Sequence, residues 1–272
     1  MEINQSKDFS QPVILGRTGL SVGRLGIGAS FGVPSDAIEM AFERGVNYLY
    51  WGSLRKDQMG EGIRRVVAKN RERAVIVVNG FIPFGFRYRQ IVESSLRKLN
   101  IEYIDIFLIA FHSNPPRKSH LDALLKMKQE GKIHFLGLSS HNRLLFAKME
   151  KEKSIDVFHV RYSAAHRGAE RDVFPLLPKE NGPGIAVFTA TRWGKLLKDS
   201  WMPPGEPTPT AADCYRFALS HPSVHVCITG LNSRQQMEHA LTVLEKGPLD
   251  PDEMAWMQRV GDYIYQQRRR QW

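Results

Sequence analysis

The side chains best suited to acid–base chemistry in this sequence are a tyrosine and a histidine near the ends of short apolar runs. Tyr50 lies in the run at 46–51, and His112 follows the run at 103–110. A phenol has a pKa of about 10, so it is a poor proton donor at neutral pH unless a neighbouring cation stabilises its phenolate. Both residues are candidates for proton transfer. The alternatives are a tyrosine packed against Trp51 and an ordinary loop histidine.

Arginines near the ends of similar runs offer a second kind of chemistry. Guanidinium forks match the geometry of carboxylates and phosphates, so these arginines indicate the phosphates of a cofactor, an anionic ligand or solvated loops. The four arginines are Arg55, Arg161, Arg167 and Arg192. His166 is a weaker candidate beside them. No pair of histidines or cysteines has the spacing of a zinc site, and no Walker A motif is present, so no metal is expected.

The elements that must position these residues alternate along the chain. Short apolar, β-branched runs predict buried strands, and the segments between them have the spacing of amphipathic helices. The eight runs lie at 24–30, 46–51, 74–80, 103–110, 134–140, 157–162, 184–190 and 224–230. A strand–helix unit repeated in this way predicts an α/β protein with the (β/α)₈ TIM-barrel fold.

Two further segments complete the predicted domain. A hairpin at 13–25 is expected to close the bottom of the barrel, and an extra helix is expected at 250–270. We expect one domain over 1–272, with flexible ends at 1–12 and 266–272. In such a barrel the functional groups lie where the strands end and the following loops begin.

Composition limits the possible partners. The formal charge is +10, from 38 Lys+Arg and 28 Asp+Glu, but basic residues are spread along the chain and cluster only in the tail at 266–272. We therefore expect a small-molecule ligand, with an anionic one among the alternatives, and neither nucleic acid nor membrane as a partner. Two cysteines and no signal-like start predict a cytoplasmic protein without disulfides.

Five segments carry a family resemblance. They are LGRTGLSVGRLGIGASFG, ESSLRKLNIEYIDIFLI, GKIHFLGLSSHN, RYSAAHRGAERDVFPLL and ALSHPSVHVCITGLNSRQQMEHAL. In their order and spacing, from about residue 13 to residue 249, the chain resembles the aldo-keto reductase family. The resemblance implies a nicotinamide cofactor, usually NADP, laid across the strand ends, and hydride transfer to a carbonyl. In the family a tyrosine donates the proton, a lysine and an aspartate lower its pKa, and a histidine orients the substrate.

The resemblance also implies a divergent member that lacks this tetrad. The places of the aspartate, tyrosine, lysine and histidine are taken, in that order, by Tyr50, by Leu54 or Arg55, by Asn79 and by Ala110. Tyr50 and His112 are then the candidate catalytic replacements. Asn79 brings no charge to lower the pKa of Tyr50, so a neutral phenol is expected there.

On the cofactor side the resemblance implies a partly retained site. It assigns Tyr162 to stack on the nicotinamide and Ser139 to face the carboxamide, whereas Ser140 and His159 replace an asparagine and a glutamine of the family. The remaining cofactor-binding candidates are Gly28, Gly230, Ser233 and Gln236. Backbone N–H groups after the last strand and at the start of the next helix would bind a phosphate.

Three functions remain open at this stage. The first is an atypical oxidoreductase that uses NADP(H) on a carbonyl. The second is a catalytically inactive barrel that binds a nucleotide or an anion, or acts in regulation. The third is an enzyme of another class, such as a lyase or isomerase, because barrels of this kind host many chemistries.

Overall fold

Eight parallel strands close into a barrel in the computed structural model, which describes residues 8–52, 57–80, 87–110 and 113–270. A two-stranded antiparallel hairpin precedes the barrel, formed by β1 (Val13–Ile14) and β2 (Ser21–Val22). The barrel strands are β3 (Leu25–Gly28), β4 (Tyr48–Trp51), β5 (Val75–Gly80), β6 (Ile104–Ile109), β7 (Ile133–Ser139), β8 (Val157–Arg161), β9 (Gly184–Phe188) and β10 (Val226–Thr229). Their order follows the chain, and β10 pairs with β3 to close the ring.

Helices follow the strands and form the outer layer. They are α1 (Ser35–Glu43), α2 (Asp57–Asn70), α3 (Tyr88–Leu99), α4 (Lys118–Gln129), α5 (Leu144–Glu152), α6 (Ala169–Asp172), α7 (Ala211–Leu219), α8 (Arg234–Leu241), α9 (Val243–Lys246) and α10 (Pro251–Arg270). This arrangement confirms the predicted (β/α)₈ barrel, its leading hairpin and its final helix.

Alternation along each strand sorts the side chains into two cores. Tyr48, Val77, Leu108 and Val157 fill the barrel interior, whereas their sequence neighbours pack outward against the helices. Both faces of each strand are therefore covered by protein. This is why the strands are nearly continuous apolar runs in the sequence.

The hairpin closes one end of the interior. Leu15 is fully buried and belongs to the same cluster as the inward-facing strand residues. The turn that follows it passes very close to β9, because a Cβ on Gly16 would lie 2.3 Å from the backbone nitrogen of Gly184. Arg17 forms an ion pair with the buried Glu150 of α5, which ties the hairpin to the outer layer.

Thr242 separates α8 from α9, and its hydroxyl donates to the carbonyl oxygen of His239. One boundary differs from the sequence prediction. Phe9 lies within the expected flexible end, yet it is 3% exposed and packs under the guanidinium of Arg24. Across the part of the chain that the structure describes, no helix is long and apolar enough to cross a membrane.

Candidate active site

The centre of the candidate site is a tyrosine–asparagine pair at the open end of the barrel, here called the mouth, where the carboxyl ends of the strands meet. Tyr50 lies near the end of β4 and Asn79 near the end of β5, and both side chains turn inward. The Nδ2 of Asn79 donates a hydrogen bond to the Tyr50 hydroxyl at 2.9 Å. Trp51 packs in the outer core instead, so its ring is on the other face of β4 from Tyr50.

Gly52 allows this pair to pack against the backbone. A Cβ at this position would lie 2.3 Å from Oδ1 of Asn79 and 2.9 Å from Cε2 of Tyr50. Both contacts are shorter than real Cβ contacts allow. Any side chain at residue 52 would therefore displace the amide or the ring, and the pair depends on a glycine directly after β4.

The environment keeps the Tyr50 phenol protonated. Burial raises the pKa of Tyr50 above its usual value, and the hydrogen bond from Asn79 lowers it by less than burial raises it. An amide stabilises a phenolate less than a cation does, because it carries no net charge. At neutral pH Tyr50 is a hydrogen-bond donor: its oxygen accepts from Asn79, and its own proton can serve a ligand in the mouth.

A histidine lies directly below this pair. The Nε2 of His159 is 2.6 Å from the Tyr48 hydroxyl, and the His159 ring meets the edge of the Tyr50 ring with centroids 5.4 Å apart. Burial lowers the pKa of His159 to about 3, so the imidazole is neutral at physiological pH. From the sequence, His159 is expected only to replace a glutamine of the family, and its contact with Tyr48 is not predicted. The alternation of the strands does indicate this contact, because Tyr48 and His159 both fall on inward positions.

Ser139 reaches the mouth from the neighbouring strand. It ends β7 opposite His159 and is 8% exposed, on the inward face. Ser140 turns to the following loop, where its hydroxyl oxygen accepts from the backbone N–H of Asn142 at 2.9 Å. Of the two serines, Ser139 is the one placed to contact a ligand in the mouth.

Arginines and a tryptophan line the next part of the rim. Arg161 ends β8 two positions after His159 and on the same face. Its guanidinium lies 4.4 Å from the ring centroid of Trp193, and that of Arg192 lies 5.6 Å from the same ring. Trp193 is 57% exposed although it is large and apolar, while Arg192 is buried.

The loop that carries Trp193 has an unusual backbone. Thr189, Arg192 and Trp193 have φ values of 60°, 55° and 53°, in the left-handed region that residues other than glycine rarely adopt. Each such residue costs about 1–2 kcal/mol, and clustered strain of this kind is typical of ligand-contacting segments. The loop is anchored by Leu196, which is fully buried in the outer core.

Tyr162 does not face the mouth. It follows β8 three positions after His159, which turns its ring outward into the core formed with Phe174 and Phe217. Its hydroxyl donates to Oε1 of Glu170 at 2.6 Å. The structure therefore corrects the expectation that this ring stacks on a nicotinamide: the alternation of the strand directs it to the opposite side.

The other cofactor candidates gather where β10 meets α8. Gly28 ends β3, and a Cβ there would lie 3.3 Å from Cγ2 of Ile228, which is tighter than most real Cβ contacts. Gly230 is covered by the Phe31 ring, 2.6 Å from where a Cβ would lie. Ser233 caps α8 by accepting from the backbone N–H of Gln236, whose side-chain oxygen accepts from the N–H of Asn232. Both polar side chains thus organise the helix start.

The remaining candidates line a cavity beside α10 or fall outside the described ranges. His112 and Arg55 lie outside the residues that the structure describes. His166 and Arg167 line a cavity of about 440 Å³ beside α10, where Arg167 pairs with Asp262. Among the described residues, no group of three or more His, Cys, Asp or Glu side chains could hold a metal ion.

The barrel and its polar mouth define a TIM-barrel protein with a candidate site at the carboxyl ends of its strands. A model of the aldo/keto reductase family matches residues 34–207. The chain therefore belongs to the aldo/keto reductase family, a family of oxidoreductases, and the resemblance inferred from the sequence is confirmed.

Individual relatives agree with this assignment. L-galactose dehydrogenase from Arabidopsis thaliana is 25% identical over 90% of this chain and 92% of its own length. The holo form of an aldo-keto reductase from Bacillus halodurans has a TM-score of 0.77 at 22% identity, covering 92% of this chain and 96% of that one. An aldo/keto reductase from Klebsiella pneumoniae in complex with NADP and acetate has a TM-score of 0.76 at 18% identity, covering 93% and 96%.

Proposed function

We propose that this protein is an atypical NADP(H)-dependent oxidoreductase that acts on a carbonyl, with Tyr50 as the group that gives the proton. The supporting observation is the 2.9 Å hydrogen bond from Asn79 to the Tyr50 hydroxyl inside the mouth. In this proposal Tyr50, which stands in the place of the family's aspartate, takes over the role of its tyrosine, and Asn79 stands in the place of its lysine. The amide orients the phenol and stabilises its oxygen, but more weakly than an ammonium group would.

The described residues fit a nicotinamide cofactor in part. The Ser139 hydroxyl can hold the carboxamide, and the first turn of α8, capped by Ser233, offers backbone N–H groups for a phosphate. Tyr162 does not fit, because its ring is buried in the outer core. When bound, NADPH supplies the hydride. The solved relative from Klebsiella pneumoniae in complex with NADP supports the choice of cofactor.

The chain's own residues then perform the proton chemistry. The Tyr50 hydroxyl donates to the carbonyl oxygen, and its proton passes to that oxygen as the oxygen becomes an alkoxide. Asn79 stabilises the phenolate left behind until water returns the proton. His159 stays neutral below the site and holds the Tyr50 ring by edge contact. Because burial disfavours the phenolate, we expect slower turnover than a tyrosine–lysine pair would give.

A second function has an observation in its favour. Burial raises the pKa of Tyr50, and its described hydrogen-bond donor is a neutral amide. A phenol held in this way suits ligand binding as well as proton transfer. The alternative is therefore a catalytically inactive barrel that binds the nucleotide, or another anion, without reducing a carbonyl.

One experiment separates these functions. NADPH and NADP⁺ are titrated against the wild-type protein by tryptophan fluorescence, and NADPH oxidation is followed with a panel of aldehydes and ketones. If the protein is an oxidoreductase, we expect the wild type to bind NADPH and to turn over. We expect Tyr50→Phe to lower kcat by about 100-fold or more and to leave the NADPH affinity unchanged.

The control is Tyr265→Phe, which makes the same chemical change on the exposed side of α10. It should leave both binding and turnover as in the wild type. NADPH binding without turnover across the panel supports the inactive barrel. If neither NADPH nor NADP⁺ binds, both forms of the proposal that involve the nucleotide are wrong.

A further inference from the structure

The rim of the mouth next to Tyr50 carries a positive cluster that the proton chemistry does not use. Arg161 follows His159 on the same face of β8, and His159 contacts the Tyr50 ring. Two residues of a strand span about 7 Å, so Arg161 lies one layer above the ring that Tyr50 touches. Arg161 and His159 therefore point into the barrel in neighbouring layers.

The neighbouring strand end completes this cluster from a second direction. Arg161 pairs in register with Phe188, the last residue of β9, and the loop after β9 carries Arg192 and Trp193. The two guanidinium groups lie 4.4 Å and 5.6 Å from the Trp193 ring centroid. The strained backbone of this loop holds a ring that is 57% exposed close to both cations.

The electrostatic effect of the cluster reaches the next loop. Burial, and then the charge of Arg161, lower the pKa of His141, which follows β7. Arg161 ends β8, whereas His141 and Arg192 lie in the loops that follow β7 and β9. Guanidinium groups match a carboxylate in shape and charge, and a tryptophan face suits a flat or apolar carbon skeleton.

We propose that Arg161, Arg192 and Trp193 bind a carboxylate group of the substrate, so that the enzyme acts on carbonyl compounds carrying a carboxylate a short distance from the reacting carbon. This inference rests on the proposed function, because a substrate requires turnover. Binding of a carboxylate by these residues does not require turnover. Arg161 is the specificity-determining residue, because it lies on the strand that also carries His159 beneath Tyr50. Trp193 covers the carbon skeleton between the two groups.

The test uses a pair of probes that differ in charge and share the same ring and aldehyde. 4-Formylbenzoate carries the carboxylate, and its methyl ester is neutral. For the wild type we expect kcat/KM to favour the acid over the ester by at least 10-fold. Arg161→Gln, which keeps hydrogen-bonding groups and removes the charge, should lower that preference by about 10-fold to 100-fold.

The matched control is Arg97→Gln, an exposed arginine on α3, which should keep the wild-type preference. Circular dichroism and thermal unfolding of both variants show whether each is folded. If Arg161→Gln does not fold, Arg192→Gln and Trp193→Phe are measured in its place, and each should lower the same preference.

A binding measurement without cofactor separates this inference from the proposed function. Both probes are titrated by tryptophan fluorescence, and Trp193→Phe identifies the signal of that ring. If the wild type binds the acid, Arg161→Gln loses it and nothing turns over, the carboxylate site holds and the reductase proposal fails. Turnover with equal preference for acid and ester overturns the carboxylate site and leaves the reductase in place.

The cofactor is the competing explanation for the two arginines, since its phosphates are also anionic. NADPH affinity is therefore measured for Arg161→Gln and Arg97→Gln. A loss of NADPH affinity as large as the loss of acid preference would assign Arg161 to the cofactor and overturn the inference. Unchanged NADPH affinity together with lost acid preference supports it.

Discussion

The Nε2 of His159 lies 2.6 Å from the hydroxyl of Tyr48 inside the barrel, one layer below Tyr50. His159 is 2% exposed and Tyr48 is fully buried, so neither group can exchange this hydrogen bond for water without opening the fold. A buried polar pair among apolar residues costs free energy if either partner is removed. The pair therefore links the stability of the barrel to protonation.

His159 should make the protein less stable in acid. Its folded pKa of about 3 lies below the ordinary value of 6.5, so the unfolded state binds more protons between these two values. Stability is thus lost as pH falls below 6.5, and at pH 5 this one group contributes a loss of about 2 kcal/mol. Urea unfolding of the wild type and His159→Gln at pH 7 and pH 5 checks this. The variant should lose less stability than the wild type over this interval.

His225 provides a second test of the same pH effect. Burial also lowers its pKa, to about 4, so it responds in the same pH window from a different place in the fold. His225→Gln should remove its own part of the acid sensitivity, and the two effects should add in the double variant. An unchanged pH dependence in His159→Gln would mean that His159 titrates normally in the folded state.

Gly52 should show energetic coupling to Asn79. In Gly52→Ala the new Cβ meets Oδ1 of Asn79 at 2.3 Å, so we expect a loss of about 1–3 kcal/mol of stability and a displaced Tyr50 hydroxyl. In an Asn79→Ala background part of the collision is gone and the cost should fall. A double-mutant cycle of unfolding free energies measures this difference. Strictly additive effects would contradict the close approach of the two residues.

Asn79→Lys should restore a cation to the phenol. A positive charge within hydrogen-bond distance favours the phenolate, so the pKa of Tyr50 should fall and any carbonyl reduction should become faster. Alkaline titration of phenolate absorbance follows the pKa, with Tyr50→Phe/Asn79→Lys to identify the signal. Asn79→Leu is the neutral control for added size. A slower enzyme with a lowered Tyr50 pKa would show that Tyr50 does not carry the proton.

The barrel was predictable because its strands are buried on both faces and alternate with amphipathic helices. The same alternation explains the inward direction of Tyr50. The alternation of side chains along a strand also predicts that Tyr162, three positions after the inward His159, faces outward. The family pattern suggested a role for Tyr162 that the local geometry does not allow.

Other features of the site depend on the approach of distant segments. The hydrogen bond between Tyr48 and His159 joins residues 111 positions apart, and the Gly52 contact depends on side-chain packing across strands. The left-handed conformation of Trp193 has no sequence signal, because glycine is the usual residue there and this chain uses a tryptophan. Such features follow from tertiary packing and not from local preference.

The hairpin at the base of the barrel has a consequence for timing. Leu15 blocks that end, and Arg17 fastens the turn by its backbone N–H to the carbonyl oxygen of Gly182 at 2.8 Å. Protons that reach His159 must pass through transient openings of the strands or through the mouth, where the Tyr50 ring packs against the imidazole. We therefore expect the His159 imidazole to exchange protons with solvent at the rate at which the barrel opens transiently. After a sudden drop in pH, its protonation should follow only after a delay.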